Sequence, residues 1–233
     1  MDEAEFDKFA EEYRSMLAAN IAISGESPDY FADYKIKDVA TEYSARRKQA
    51  ANAPAILDFG AGIGTSVPFV RKYLPYASLT CLDISIRSLE VGHARFPDQA
   101  RFVPFDGSSI PAADASFDIA FATCVFHHIE HSEHVGLLAE FHRVLKPLGM
   151  AFVFEHNPYN PLTVQAVNTC PFDENARLIR ARVMQQRFLA AGFAQAHIRY
   201  RIFFPHALRA LRRLEKILTW LPLGAQYYVM ASK

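Results

Sequence analysis

The rhythm of apolar and polar positions changes near residue 54. Before it, Phe6, Phe9, Tyr13, Met16 and Leu17 recur at helical spacing behind Asp2 and Glu5, a capping-box pair, and Gly25 is placed to end that helix. Ser27-Pro28 then offers an N-cap and a first-turn proline for a second helix through Tyr30, Phe31 and Tyr34, running toward Arg46-Arg47-Lys48. After Ala53-Pro54 short apolar runs take over: AILDFG (55–60), SLTCLDIS (78–85), RFVPFD (101–106), FDIAFATCV (117–125) and GMAFVFEH (149–156). Amphipathic stretches lie between them at about 64–74, 86–95 and 133–146. Apolar strands alternating with helices predict a parallel sheet covered on both faces. The tail predicts a helix over about 174–191 closed by Gly192, a strand over 195–204, a basic amphipathic helix over about 205–220 and a last strand over 225–232. The stretch 157–175 shows no clear periodicity, and such a segment after the fifth strand is expected to carry acceptor specificity. The expected organisation is a helical cap or lid over 1–52 and one α/β domain over 53–233.

Composition narrows the class. The 233 residues are 51% hydrophobic and 21% charged, which suits a soluble globular chain. Lys and Arg (25) balance Asp and Glu (25), which argues against nucleic acid as a partner, because backbone phosphate binding needs a basic excess. Cys81, Cys124 and Cys170 are odd in number and widely spaced, giving neither a disulfide framework nor a zinc knuckle. The acidic opening MDEAEFDKFAEEYR lacks a secretory pattern, and no window approaches a membrane span, so the expected location is the cytoplasm.

The sharpest local feature is Asp58-Phe59-Gly60-Ala61-Gly62-Ile63-Gly64, at the junction of the first strand and the next helix. Glycines there let a ligand approach the backbone, and the helix N-terminus presents N–H groups. In a dinucleotide fingerprint the third glycine would come one residue later, where Thr65 stands. Asp58 suits an ammonium-bearing ligand better than a pyrophosphate. Asp83 ends the second run about twenty residues on, where an acid hydrogen-bonds ribose hydroxyls in doubly wound folds. Asp106 ends the third run, followed by Gly107, and can accept from an adenine amino group. Each aspartate alone also reads as a turn former; three on successive strand ends point to a nucleoside.

With these residues the chain resembles the class I S-adenosylmethionine-dependent methyltransferases of the small-molecule type, and is similar to the branch that methylates quinone rings. DFGAGIG matches the cofactor loop, LDIS the ribose acid, PFDGSSIP the adenine-side acid, FDIAFATCVFHHI the fourth strand leading to the active site, and RVLKPLGMAFVFEHN the helix–turn–strand after it. The resemblance runs from about Pro54 to Asn157. It implies a Rossmann-like doubly wound α/β sheet of seven strands in the order 3-2-1-4-5-7-6, the last antiparallel. It also implies that Gly60 and Gly62 contact S-adenosyl-L-methionine, Asp58 orients its amino group, Asp83 holds the ribose, and Asp106 with Gly107 serves the adenine. Ile84 would pack on the adenine, with Thr123 or Cys124 near the methionine portion.

Methyl transfer from a sulfonium asks mainly for alignment, plus a base where the acceptor is a hydroxyl. His128, His127 and His156 are the base candidates, with Glu155 and Asn157 beside them. The Tyr30, Phe31 and Tyr34 rings could close over the sulfonium. His127, His131, His134 and Glu130 have helix-like ligand spacing, but Ser132 reads as a helix start that breaks the face, so no metal is expected. Cys170 lacks an evident base partner and reads as a loop or packing residue. The 205–220 helix, with Leu208, Leu211, Leu214, Leu218 and Trp220 against Arg209, Arg212, Arg213 and Lys216, either packs on the sheet or touches an anionic membrane. The expected activity is methyl transfer, favoured at oxygen or carbon, to a small or lipid-linked acceptor. The rivals are a nicotinamide-dependent oxidoreductase and a non-catalytic S-adenosylmethionine-binding protein.

Overall fold

The computed structural model describes residues 21–46, 53–170, 173 and 175–233. The expected first helix and its Asp2–Glu5 capping box lie outside them. Helix α1 (Pro28–Arg46) starts where Ser27-Pro28 predicts, with Tyr30 N–H bonded to the Ser27 carbonyl at 3.1 Å. A short 3-10 helix (Ile21–Ser24) precedes it and ends at Gly25, whose φ of 71° only glycine adopts freely.

Seven strands form one sheet: β1 (Ala55–Phe59), β2 (Ser78–Asp83), β3 (Arg101–Pro104), β4 (Phe117–Thr123), β5 (Leu145–His156), β6 (Ala196–Arg201) and β7 (Gln226–Ser232). Their order is β3-β2-β1-β4-β5-β7-β6, with β7 antiparallel to both β5 and β6, as expected. Between them run α2 (Val67–Tyr73), α3 (Ile86–Arg95), α4 (His134–Val144), α5 (Pro161–Asn168), α6 (Ala181–Ala190) and the one-turn α7 (Glu215–Leu218).

Strand alternation sorts the core into two layers. Ile56, Ile119 and Phe121 face Val39 and Tyr43 of α1 and Val67 and Val70 of α2. Leu57, Ala120 and Ala122 face Leu138 and Phe141 of α4 and Met184 and Phe188 of α6. The two alanines leave room on that side for the rings of Phe59, Phe126 and Phe141, which meet edge-on or tilted. Helix α1 thus packs into the same core as the sheet. It is tied to the far strands by Tyr34 Oη to Gln226 Oε1 (2.5 Å) and Arg201 to Asp38 (2.6 Å).

Three segments depart from the sequence reading. The 157–175 stretch contains α5, started by Asn160, whose side chain accepts from Thr163 N–H at 3.0 Å, with Pro161 in the first turn. The 174–191 helix begins only at Ala181. Residues before it are drawn to the site, where Arg177 N–H bonds the His127 carbonyl at 2.8 Å, and this tertiary contact overrides local propensity. The 205–220 segment is a kinked 3-10 helix (His206–Leu214) followed by α7 rather than one α-helix. It does not bury its apolar side chains: Leu208, Leu211 and Leu214 are exposed, Ile217 is 68% and Trp220 70% accessible. It is held by buried Glu215, which accepts from Phe203 and Phe204 N–H at 3.0 and 3.1 Å, and by Arg212, which pairs with Glu26 and covers the Tyr30 ring. Among the described residues no helix is long and apolar enough to cross a membrane.

Candidate functional site

A cavity of about 340 Å³ opens over the carboxyl ends of β1, β2, β4 and β5. Its first half is built by the β1–α2 loop. Gly60, Gly62 and Gly64 have φ of 71°, 52° and 75°. A Cβ on Gly60 would lie 2.4 Å from Val125, whereas one on Gly62 would meet only open space. The loop is pinned from below: Gly62 N–H donates to Asp83 Oδ2 at 2.7 Å and Ser85 N–H to Asp83 Oδ1 at 2.9 Å. Asp58 is fully buried beneath the loop. Ser66 Oγ donates to its Oδ2, while Oδ1 has no partner among the described residues. Burial, offset in part by the Ser66 hydrogen bond and reinforced by Asp83, pushes the Asp58 carboxyl up to about 7. An unsatisfied buried oxygen at that place fits an ammonium donor, and the open face of Gly62 fits a ligand lying close to the backbone. Both features suit the amino-acid end of S-adenosylmethionine.

Ile84, Phe105, Thr123 and Cys124 continue this wall. Cys124 holds a left-handed φ of 59°, rare for a side-chain-bearing residue, and its Sγ lies 3.1 Å from Lys35 Nζ. Burial opposes ionisation, but the Lys35 ammonium and then His156 bring the Cys124 thiol down to about 6. Lys35, on α1, escaped the sequence reading because nothing in its neighbourhood marks a buried lysine.

The second half is a knot of imidazoles and carboxylates. His127 and Glu155 are fully buried, with His127 Nδ1 2.6 Å from Glu155 Oε2, and Glu155 Oε1 accepting from Phe126 N–H at 2.8 Å. Asp173 Oδ1 stands 3.3 Å from His127 Nε2 and 3.4 Å from His128 Nε2. The rings of His127 and His128 are 4.2 Å apart, and His156 lies 5.2 Å from His127. Burial disfavours charge on His127, yet Glu155 and Asp173 overcome it and raise its pKa to about 10. The His128 pKa is lowered, by burial first and by the His127 charge, against the pull of Asp173. Asp173 was not singled out in the sequence: it lies 45 residues beyond His128, in a stretch without periodicity.

Of the expected residues, Asp58, Gly60, Gly62, Asp83, Ile84, Thr123, Cys124, His127, His128 and His156 all border this cavity. Asp106 and Gly107 do not: the Asp106 carboxylate closes its own turn, accepting Ser108 N–H at 2.8 Å and Ser109 N–H at 3.0 Å. Of the aromatic trio only Phe31 lines the cavity; Tyr30 lies under Arg212 and Tyr34 is buried against Phe154. Asn157 braces the turn before β7 through Gly224 O at 2.7 Å. Cys170 lines the wall near Asp173. His134 is turned away, with Nε2 3.0 Å from the Ile129 carbonyl, so the His127/His131/His134 set does not assemble.

Residues 57–153 match a family model described as a methyltransferase domain. The demethylmenaquinone methyltransferase of Thermotoga maritima is 31% identical over 109 residues, 47% of this chain and 46% of that protein. The human thiol S-methyltransferase TMT1B is 31% identical over 118 residues, 47% and 46% of the two chains. The chain thus spans about half the length of the curated relatives it matches. A solved T. maritima structure described as an S-adenosylmethionine-dependent methyltransferase, possible histamine N-methyltransferase, superposes over 99% of both chains. Its TM-score is 0.65 at 18% identity, a likeness of fold. The glycine loop, the strand order and the match over residues 57–153 together make the chain similar to the class I methyltransferases. Over about half of its length the chain is 30–32% identical to demethylmenaquinone and ubiquinone/menaquinone methyltransferases.

Proposed function

We propose that the chain transfers a methyl group from S-adenosylmethionine to a small or lipid-linked acceptor, favouring oxygen or carbon. The observation that carries this reading is one cavity bordered at one end by a glycine loop over the unpartnered Asp58 oxygen and at the other by His127, His128, His156 and Asp173. The bound cofactor supplies a methyl on a positively charged sulfur. Asp58 would receive the amino group, Asp83 the ribose, and Ile84 with Phe105 the adenine. Asp106 and Gly107 would reach the adenine only if their turn opened. His127, held between two carboxylates, would orient the site rather than act as a base. The proton of a hydroxyl acceptor would pass to the imidazoles of His128 or His156, positioned by Asp173 and Gln226. The segment before α1, with Ile21 and Ser24 on the cavity wall beside Phe31 of α1, would act as the lid.

Exposed Leu208, Leu211, Ile217 and Trp220 beside Arg209, Arg213 and Lys216 favour a lipid-linked acceptor met at an anionic membrane surface, with Leu162 and Phe203 leading from that face into the cavity. The decisive experiment is calorimetric titration with S-adenosylmethionine and with NAD, followed by transfer of labelled methyl to a panel of hydroxylated, quinone and thiol acceptors. Binding of the first compound and labelling of an acceptor is the expected result. NAD binding alone, or cofactor binding without any transfer, would favour the oxidoreductase or the non-catalytic reading.

A further inference from the structure

We propose that His127, His128 and Asp173 form a binding site for a divalent transition-metal ion of the zinc class, set in the acceptor half of the cavity. Its catalytic use rests on the methyltransferase reading above. The three donor atoms, two Nε2 and one carboxylate oxygen, lie within 4.8 Å of one another. Their spacing is informative. A charge-assisted N–H···O bond settles near ~2.7–2.9 Å. Asp173 Oδ1 instead stands 3.3 and 3.4 Å from the two nitrogens. Ligands held ~2.0–2.1 Å from a tetrahedral zinc are separated by roughly 3.3–3.4 Å along each edge. The two edges to Asp173 therefore match those of a zinc site, and the third, between the histidines, lies within 4.8 Å.

The surroundings support the same reading. His127 Nδ1 makes a true short hydrogen bond, 2.6 Å to Glu155 Oε2, and Glu155 is itself fixed by Phe126 N–H at 2.8 Å. A buried carboxylate on the far nitrogen is the arrangement that orients a ligating imidazole and raises its basicity. Two imidazoles and one carboxylate leave coordination positions open, and these are reached from the cavity that all three residues line. An ion there lowers the pKa of a coordinated hydroxyl or thiol. With His128 holding the ion, the proton leaves to His156 or solvent and not to His128. The acceptor's lone pair then forms the bond to the methyl carbon as the carbon–sulfur bond breaks, its electron pair remaining on sulfur.

The test uses the full chain, stripped with a chelator, dialysed, and titrated with zinc chloride by calorimetry and with cobalt(II) by visible absorption. One ion per chain with ligand-field bands is expected. Asp173→Asn and His128→Ala should each weaken zinc by more than ~10-fold, and Glu155→Gln by ~10- to 100-fold through ring orientation. His131→Ala, at an exposed site, should leave zinc binding unchanged. S-adenosylmethionine affinity, measured on every sample, reports that each variant is folded. A chain that binds the cofactor but no zinc, or whose zinc affinity survives both Asp173→Asn and His128→Ala, overturns the inference and leaves the methyltransferase reading standing. Zinc binding without cofactor binding does the reverse.

Discussion

The two halves of the cavity are built by opposite strategies. The half proposed for the methyl donor comes from contiguous strand ends: Asp58 to Ser66 after β1, and Asp83 to Ser88 after β2. Its bonds are backbone to carboxylate, such as Gly62 N–H to Asp83, and depend on turn geometry more than on distant packing. The acceptor half gathers His127 and His128 after β4, Glu155 and His156 at the end of β5, and Asp173 from the loop after α5. The first can be kept while the acceptor changes; the second can be redrawn by moving one loop. That division suits a fold whose relatives include quinone, sterol and thiol methyltransferases.

If the halves are separable, variants should split cleanly between them. His128→Ala should cut turnover by about 100-fold or more while cofactor affinity, read by calorimetry, stays within about threefold. Matched losses in both would break the comparison. Asp83→Ala should do the opposite, weakening cofactor binding by about 30-fold, the cost of roughly 2 kcal/mol of hydrogen bonds to a charged acceptor. A finer probe is pH. With its carboxyl at about 7, Asp58 is protonated in mildly acid solution and ionises as pH rises. An ammonium ligand favours the ionised form, so cofactor affinity should fall about tenfold between pH 8 and pH 6. Stability of the free chain should run the other way. A folded pKa above the unfolded value of ~3.9 gives stability that is full below pH 4 and lost as pH rises through 7. Thermal melts with and without cofactor at pH 5 and 8 check both signs, and Asp58→Asn should flatten both trends. The smallest effect belongs outside the cavity: Ile217→Ser with Trp220→Ser should reduce sedimentation with anionic vesicles about threefold and leave turnover on a soluble acceptor unchanged.

The same division explains what the sequence revealed. Strand–helix alternation and the spacing of Gly60, Gly62 and Asp83 are local, so the sheet order and the glycine-loop wall of the cavity were legible from motifs. Asp106 misled because an aspartate followed by Gly107 and Ser108 reads equally as a nucleoside acid and a turn closer, and here its carboxylate closes the turn. Asp173 and Lys35 were invisible because their meaning lies in what folds against them, namely two histidines 45 and 46 residues earlier and a cysteine 89 residues later. The 205–220 segment carried helical periodicity, yet its leucines find no core to bury against and the backbone tightens to 3-10 turns.

The position of β7 has a consequence for biosynthesis. Strand β7, the most C-terminal of the seven, is not an edge but an insert between β5 and β6. Until residues 226–232 emerge, β5 offers an unpaired margin and β6 has no neighbour to join. The Tyr34 hydroxyl likewise waits for Gln226, so the beginning of the domain cannot settle before its end arrives. Nascent chains halted short of Gln226 should accordingly remain protease-sensitive and prone to self-association, then gain protection in a single step upon release.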